Sequence, residues 1–100
     1  MKKILMIDDL RTSKDVREDP TKIARTFEEG IAALKSEAYD LLYLDHDLGE
    51  ANGKDGSAIM NFLEENPQFL PGKIELITSN PIGRMYMQTV IDRLYGKGSK

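Results

Sequence analysis

The apolar positions of this chain form runs of two kinds, continuous and spaced. Residues 3–8 (Lys-Ile-Leu-Met-Ile-Asp) and 41–45 (Leu-Leu-Tyr-Leu-Asp) are apolar without interruption and then stop at an acid. Such runs predict strands buried on both faces. Residues 22–26 alternate and predict a short edge strand, and residues 73–78 (Lys-Ile-Glu-Leu-Ile-Thr) predict a fourth. Between them the spacing changes to that of helices. Thr26-Phe27-Glu28-Glu29 has the form of a capping box, with Glu29 reaching back, and Phe27, Ile31, Leu34 and Ala38 follow as one stripe. A second helix from about Ser57 carries Ile59, Met60, Phe62 and Leu63 and stops before Asn66-Pro67. Pro81 suits the first turn of a last helix capped by Ser79 or Asn80. Met87, Val90, Ile91 and Leu94 form its stripe, and Gly96 suits its end. Residues 10–21 are mostly polar and predict a loop with room for one helical turn.

Strands alternating with helices predict an open parallel α/β sheet. Ligands of such sheets bind beyond the carboxyl ends of the strands. Three of those ends carry polar groups here: Asp8 and Asp9; Asp45, His46 and Asp47; Thr78, Ser79 and Asn80. If the first and third strands are neighbours, Asp8, Asp9 and Asp45 meet. Like charges so placed repel, and a hard divalent cation such as Mg2+ removes the repulsion. The plainer alternative is that these acids end their strands in water.

Composition narrows the field. The chain has 100 residues, 14 basic against 17 acidic, for a net charge of −3. That is one domain, expected over residues 1–96 with a flexible tail at 97–100, and it lacks the basic face that broad DNA binding needs. With no cysteine, thiolate catalysis, disulfides and cysteine-held metals are excluded. No apolar run is long enough for a membrane span, and the short one after Lys2-Lys3 ends too soon for a signal peptide, so a cytoplasmic setting is expected. The loop 46–56 has glycines at 49, 53 and 56, which suit a mobile hinge and fit neither a phosphate loop nor an EF-hand.

The order strand–Asp8-Asp9, then Tyr39-Asp40-Leu41-Leu42-Tyr43-Leu44-Asp45, then a strand ending in Thr78, resembles response-regulator receiver domains. That resemblance implies a flavodoxin-like sheet. It implies Asp8 and Asp9 as the metal-holding pair and Asp45 as phospho-acceptor. Asp47 falls where a backbone carbonyl completes the metal site, and Thr78 supplies a hydroxyl that orients the phosphoryl group. The chain departs from the pattern in lacking room for a full first helix, the fifth strand with its essential lysine, and the fifth helix. The missing lysine speaks against ordinary phospho-switching. A closer resemblance is to the cyclic-phosphate-processing receiver domains. It rests on Asp8-Asp9-Leu10-Arg11, Leu44-Asp45-His46-Asp47-Leu48-Gly49 and Asn80-Pro81-Ile82-Gly83-Arg84. It covers roughly residues 3–95, and Ile77-Thr78 stands where that group often has His-Ser.

The expected fold is therefore a trimmed receiver-like sandwich of two or three layers. Its four-stranded parallel sheet has the order 2-1-3-4. The expected function is a Mg2+ site that binds or processes a phosphoryl group, such as a cyclic or terminal RNA phosphate. Asp8, Asp9, Asp45 and Asp47 are the candidate metal residues. Arg11, Asn80 and Arg84 are candidates for holding phosphate, Arg11 alternatively pairing with Asp9 and Asn80 alternatively only capping its helix. An arginine in the first turn opposes the helix dipole, so Arg84 calls for an anion. Thr78 is a candidate for the reacting centre. His46, the only histidine, is a candidate general acid, with a metal-ligand or structural role as the alternatives. The competing class is a non-catalytic interaction module. Without the missing helices, one apolar sheet face would be left bare for a protein partner, a second copy or the last helix to cover.

Overall fold

The computed structural model describes residues 2–48 and 54–96. The strands are β1 (Ile4–Ile7), β2 (Lys22–Ala24), β3 (Leu41–Leu44) and β4 (Ile74–Leu76). The helices are α1 (Phe27–Ser36), α2 (Gly56–Glu65) and α3 (Pro81–Tyr95). All strand pairs are parallel, in the order β2-β1-β3-β4. This is the receiver-like sheet that the sequence pattern predicts. Among the described residues no fifth strand follows α3, and a single 3-10 turn (Ser13–Asp15) stands between β1 and β2. No helix is long and apolar enough to cross a membrane.

Alternation along the strands divides the sheet into two faces. Leu5, Ile7, Leu42, Leu44, Ile74 and Leu76 turn toward the helices. There they meet Ala33 and Leu34 of α1, Ile59, Met60 and Leu63 of α2, and Met87, Val90 and Ile91 of α3. Burying each large side chain contributes about 1.5–3 kcal/mol. The α1 stripe is shorter than expected. The helix ends at Ser36, so Ala38 is exposed, and Tyr39 fills the core in its place. Its capping box is also open: Thr26 accepts from the Glu29 amide, but Glu29 reaches past it to the Arg25 amide (2.7 Å). A closed capping box forms instead in the 3-10 turn, between Thr12 and Asp15.

Ile4, Met6, Leu41 and Tyr43 turn to the other face, and here the expectation of a bare surface is overturned. All four are at most 4% exposed within the single chain. Neither α3 nor a second copy covers them, since α3 lies with the other helices. The covering layer is the segment between β1 and β2, which contributes Val16 to this cluster. Hydrogen bonds hold the segment down as a strap. The Glu18 amide donates to the Tyr43 hydroxyl (3.2 Å), and Arg17 pairs with Glu75 of β4 (2.9 Å). An extended strap suffices because the face is only four short strands wide.

Gly49 and Gly53, expected in a mobile loop, lie outside the described residues. Gly56 starts α2 one residue before the expected Ser57, after its cap Asp55.

Replacing Tyr43 by Phe removes the strap's acceptor without emptying the core. Urea denaturation is expected to show a loss of about 0.5–1.5 kcal/mol. Amide exchange should speed up at Glu18 and remain unchanged in α2.

Candidate functional site

Strand register brings the acids together. Ile7 is paired with Leu44, and the next residues are Asp8 and Asp45. The Asp45 amide still donates to the Ile7 carbonyl (3.0 Å), and the Asp8 amide donates to Ala24 (3.0 Å). Both side chains therefore emerge side by side where the sheet ends. Asp8 is fully buried and Asp45 is 5% exposed. Asp8, Asp9 and Asp45 each offer a carboxylate oxygen within 4.8 Å of the others.

Neighbouring groups fix the cluster. Asp8 Oδ1 accepts from the Leu10 and Arg11 amides (2.8 and 2.7 Å), which folds the chain sharply after β1. Its other oxygen, Oδ2, takes Arg11 Nη1 at 2.8 Å, and the same nitrogen lies 3.5 Å from Asp45 Oδ1. Arg11 thus pairs with Asp8 and Asp45, and the expected alternative pairing with Asp9 does not form. Asp8 in turn raises the already high pKa of the guanidinium through their hydrogen bond. Arg25, at the end of β2, donates to the Asp8 and Arg11 carbonyls (3.2 and 2.7 Å) and ties this turn to the sheet.

Burial pushes the Asp45 carboxyl above the usual carboxylate range, and the Asp8 charge adds to the shift. Arg11, the Thr78 hydroxyl and the His46 amide oppose it. Thr78 is itself buried, and its hydroxyl accepts from the Asn80 amide (3.0 Å). Asp8, Asp9, Leu10, Arg11, Asp45, Asp47 and Ser79 line an open cleft of about 360 Å³.

The remaining candidates lie around this cleft, not in its lining. The His46 ring turns toward the helices. Nδ1 sits 3.0 Å from Asp47 Oδ1 and 3.5 Å from the Asn80 amide nitrogen, and Nε2 sits 3.5 Å from Asp55 Oδ2. Asn80 caps α3, its side-chain oxygen accepting from the Gly83 amide (3.0 Å). Arg84 has Nη1 at 3.4 Å from the Leu76 and Thr78 carbonyls, so the carbonyls ending β4 offset its charge in place of an anion.

Three contributors escape sequence reasoning. Arg25 acts only through backbone carbonyls, and Asp55 reads as an ordinary helix cap. Gly83 presses directly on the His46 ring, so that a Cβ there would overlap it. Its place in Asn80-Pro81-Ile82-Gly83-Arg84 was the available signal, but the ring it meets is 37 residues earlier in the chain.

The donor set suits a hard divalent cation. All three groups are carboxylate oxygens, and two of them are buried close enough to repel. Thr78 closes the cluster on its β4 side.

A family model of the cyclic-phosphate processing receiver domain matches residues 3–93. The chain belongs to this family, and its acidic cluster resembles the receiver phosphorylation site. Comparison with curated proteins and with solved structures gives no match.

Two outcomes are expected. A carboxyl shifted upward holds its proton more tightly in the folded chain. Its stabilising contribution is therefore complete below the ordinary value of 3.8 and is lost as pH rises through the raised value. In metal-free denaturation series, Asp45→Asn should gain stability relative to wild type as pH rises through that window, and the difference should level off above it. Gly83→Ala should cost about 1–3 kcal/mol by crowding the imidazole. Its NMR signature is a shift of the His46 ring resonances with the Asp8 amide unchanged.

Proposed function

We propose that the cleft holds Mg2+ and binds or processes a phosphoryl group, the concrete substrate being a cyclic or terminal phosphate on RNA. The observation that carries this reading is the meeting of three carboxylates with Arg11 at the mouth of one cleft. Membership of the cyclic-phosphate processing receiver family supports the choice of substrate.

Asp8, Asp9 and Asp45 would hold the cation. When bound, it supplies Lewis-acid stabilisation of charge on phosphoryl oxygens. Arg11 adds a planar fork of donors suited to the same oxygens. Asp45 is the carboxylate that lies between Arg11 (3.5 Å) and the Thr78 hydroxyl, and this fits a role as ligand or nucleophile. Thr78 orients Asp45. Asp47 lies on the cleft rim with its carboxylate on His46, so a contribution from its backbone carbonyl leaves that pairing intact. His46 takes part as an acid only if its ring leaves Asp55 and Gly83. In its present place it links Asp47 and Asp55 to the start of α3.

A second reading, an interaction module, has one observation in its favour. Ile82, Met85 and Tyr86 form an exposed stripe on α3, at 81%, 71% and 43% exposure. This stripe replaces the sheet face as the surface such a module would use.

Amide NMR during a Mg2+ titration tests the first reading. Saturable shifts at Asp8, Asp9 and Asp45 are expected, and Asp45→Asn should abolish them. In an assay of 2′,3′-cyclic phosphate opening, the same variant should lose at least about a hundredfold in rate while staying folded. Absence of shifts at millimolar Mg2+ would count against the site. Partner binding lost in Met85→Asp but kept in Asp45→Asn would favour the module.

A further inference from the structure

The guanidinium of Arg11 stands on the one Asp8 oxygen that the loop amides leave open. Oδ1 is occupied by the amides of Leu10 and Arg11, and Oδ2 is held by Arg11 Nη1 at 2.8 Å. A cation ligated by Asp8 would need Oδ2. The same nitrogen is 3.5 Å from Asp45 Oδ1. Arg11 therefore serves as the counter-ion of two buried carboxylates, in the place where the divalent ion of the proposed site would act.

The backbone around it is fixed, but the side chain has a way out. Arg25 and Asp8 Oδ1 hold the main chain of residues 8–11, while the Arg11 side chain is 32% exposed and lines the open cleft. Charge allows an exchange. Three carboxylates and one guanidinium leave two negative charges, so the cluster attracts a divalent cation even with Arg11 in place. A cation that takes Asp8 Oδ2 carries twice the charge of the guanidinium it displaces there and repels it.

We propose that Arg11 has two working positions, closed on Asp8 and Asp45 without metal, and turned into the cleft toward an anion once the metal has entered. The inference rests on the metal reading above and adds an order to it: metal first, phosphoryl group second. The metal creates the second site by releasing a fork of donors that was bound to the first. By linkage, the anion must then strengthen metal binding by the same factor.

The test is calorimetric titration of Mg2+ into wild type, Arg11→Gln and Asp45→Asn, followed by titration of inorganic phosphate at saturating Mg2+. Arg11→Gln removes the competing charge, so its Mg2+ affinity should rise on the order of tenfold, and its phosphate affinity in Mg2+ should fall several-fold. Equal or weaker Mg2+ binding in Arg11→Gln, with wild type still binding, would overturn the two-position proposal and leave the metal site standing. Unchanged phosphate binding in Arg11→Gln would overturn the second position. Lack of Mg2+ binding in wild type and Arg11→Gln alike, or binding in Asp45→Asn equal to wild type, would overturn the metal site and the proposal together. If Arg11→Gln is folded but too unstable for calorimetry, its melting temperature is read instead. Mg2+ should raise that temperature more than it does for wild type, and an equal or smaller rise would overturn the proposal.

Discussion

Asp8 and Asp45 emerge one residue past the last paired positions of two adjacent parallel strands, and both are buried. Two carboxylates in that situation repel unless a cation joins them. Arg11 does so, and much of the neighbouring structure keeps it there. The sharp turn after β1 brings residue 11 back over the sheet edge. Arg25 fastens that turn through two carbonyls. Thr78 and the His46 amide hydrogen-bond Asp45 from its other sides. The site therefore keeps a net negative charge: Arg11 offsets one of the acids, and the other neighbours hold them by hydrogen bonds that carry no charge. Such an arrangement gives up stability at the sheet edge, the cost expected of the cation site proposed for it.

Replacement of a first helix by a strap follows from the same turn. A chain that doubles back at Leu10 and Arg11 has about a dozen residues to reach β2, too few for a helix that spans the sheet. The strap crosses the apolar face instead, anchored by the Tyr43 hydroxyl from within the apolar layer and by Glu75 at the surface. One segment thus performs two tasks. Its first residues shape the acidic cleft and its later ones seal the core, so the stability of that face and the geometry of the cleft are coupled.

On the opposite side of the cleft, His46 and two glycines set how the strand end meets the helices. The His46 ring rests on the bare backbone at Gly83, between Asp47 and Asp55. Gly56 lies so close to the Asp45 carbonyl that any side chain there would collide with it. These two glycines let α2 and α3 start against the strand end that carries Asp45. The first turns of both helices are thereby registered to the site.

The strands and helices were legible in the sequence because each depends on local pattern, and continuous apolar runs ending in Asp8 and Asp45 marked two strand ends. The sheet order that brings those ends together followed from the resemblance to receiver domains. Segments quoted from three separate parts of the chain agreed with the family. What the sequence could not determine was set by which groups meet across the fold. Periodicity extended α1 to Ala38, but Tyr39 competes for the core and the helix ends at Ser36. Counting helices left a sheet face bare, yet the segment between β1 and β2 covers it, because Val16 packs on the cluster and hydrogen bonds hold its neighbours down. Proximity in sequence suggested Asp9 as the partner of Arg11 and placed His46 in the cleft. The tertiary structure gave Arg11 to Asp8 and Asp45, whose burial leaves the stronger unmet charge, and gave His46 to the space that Gly83 leaves open.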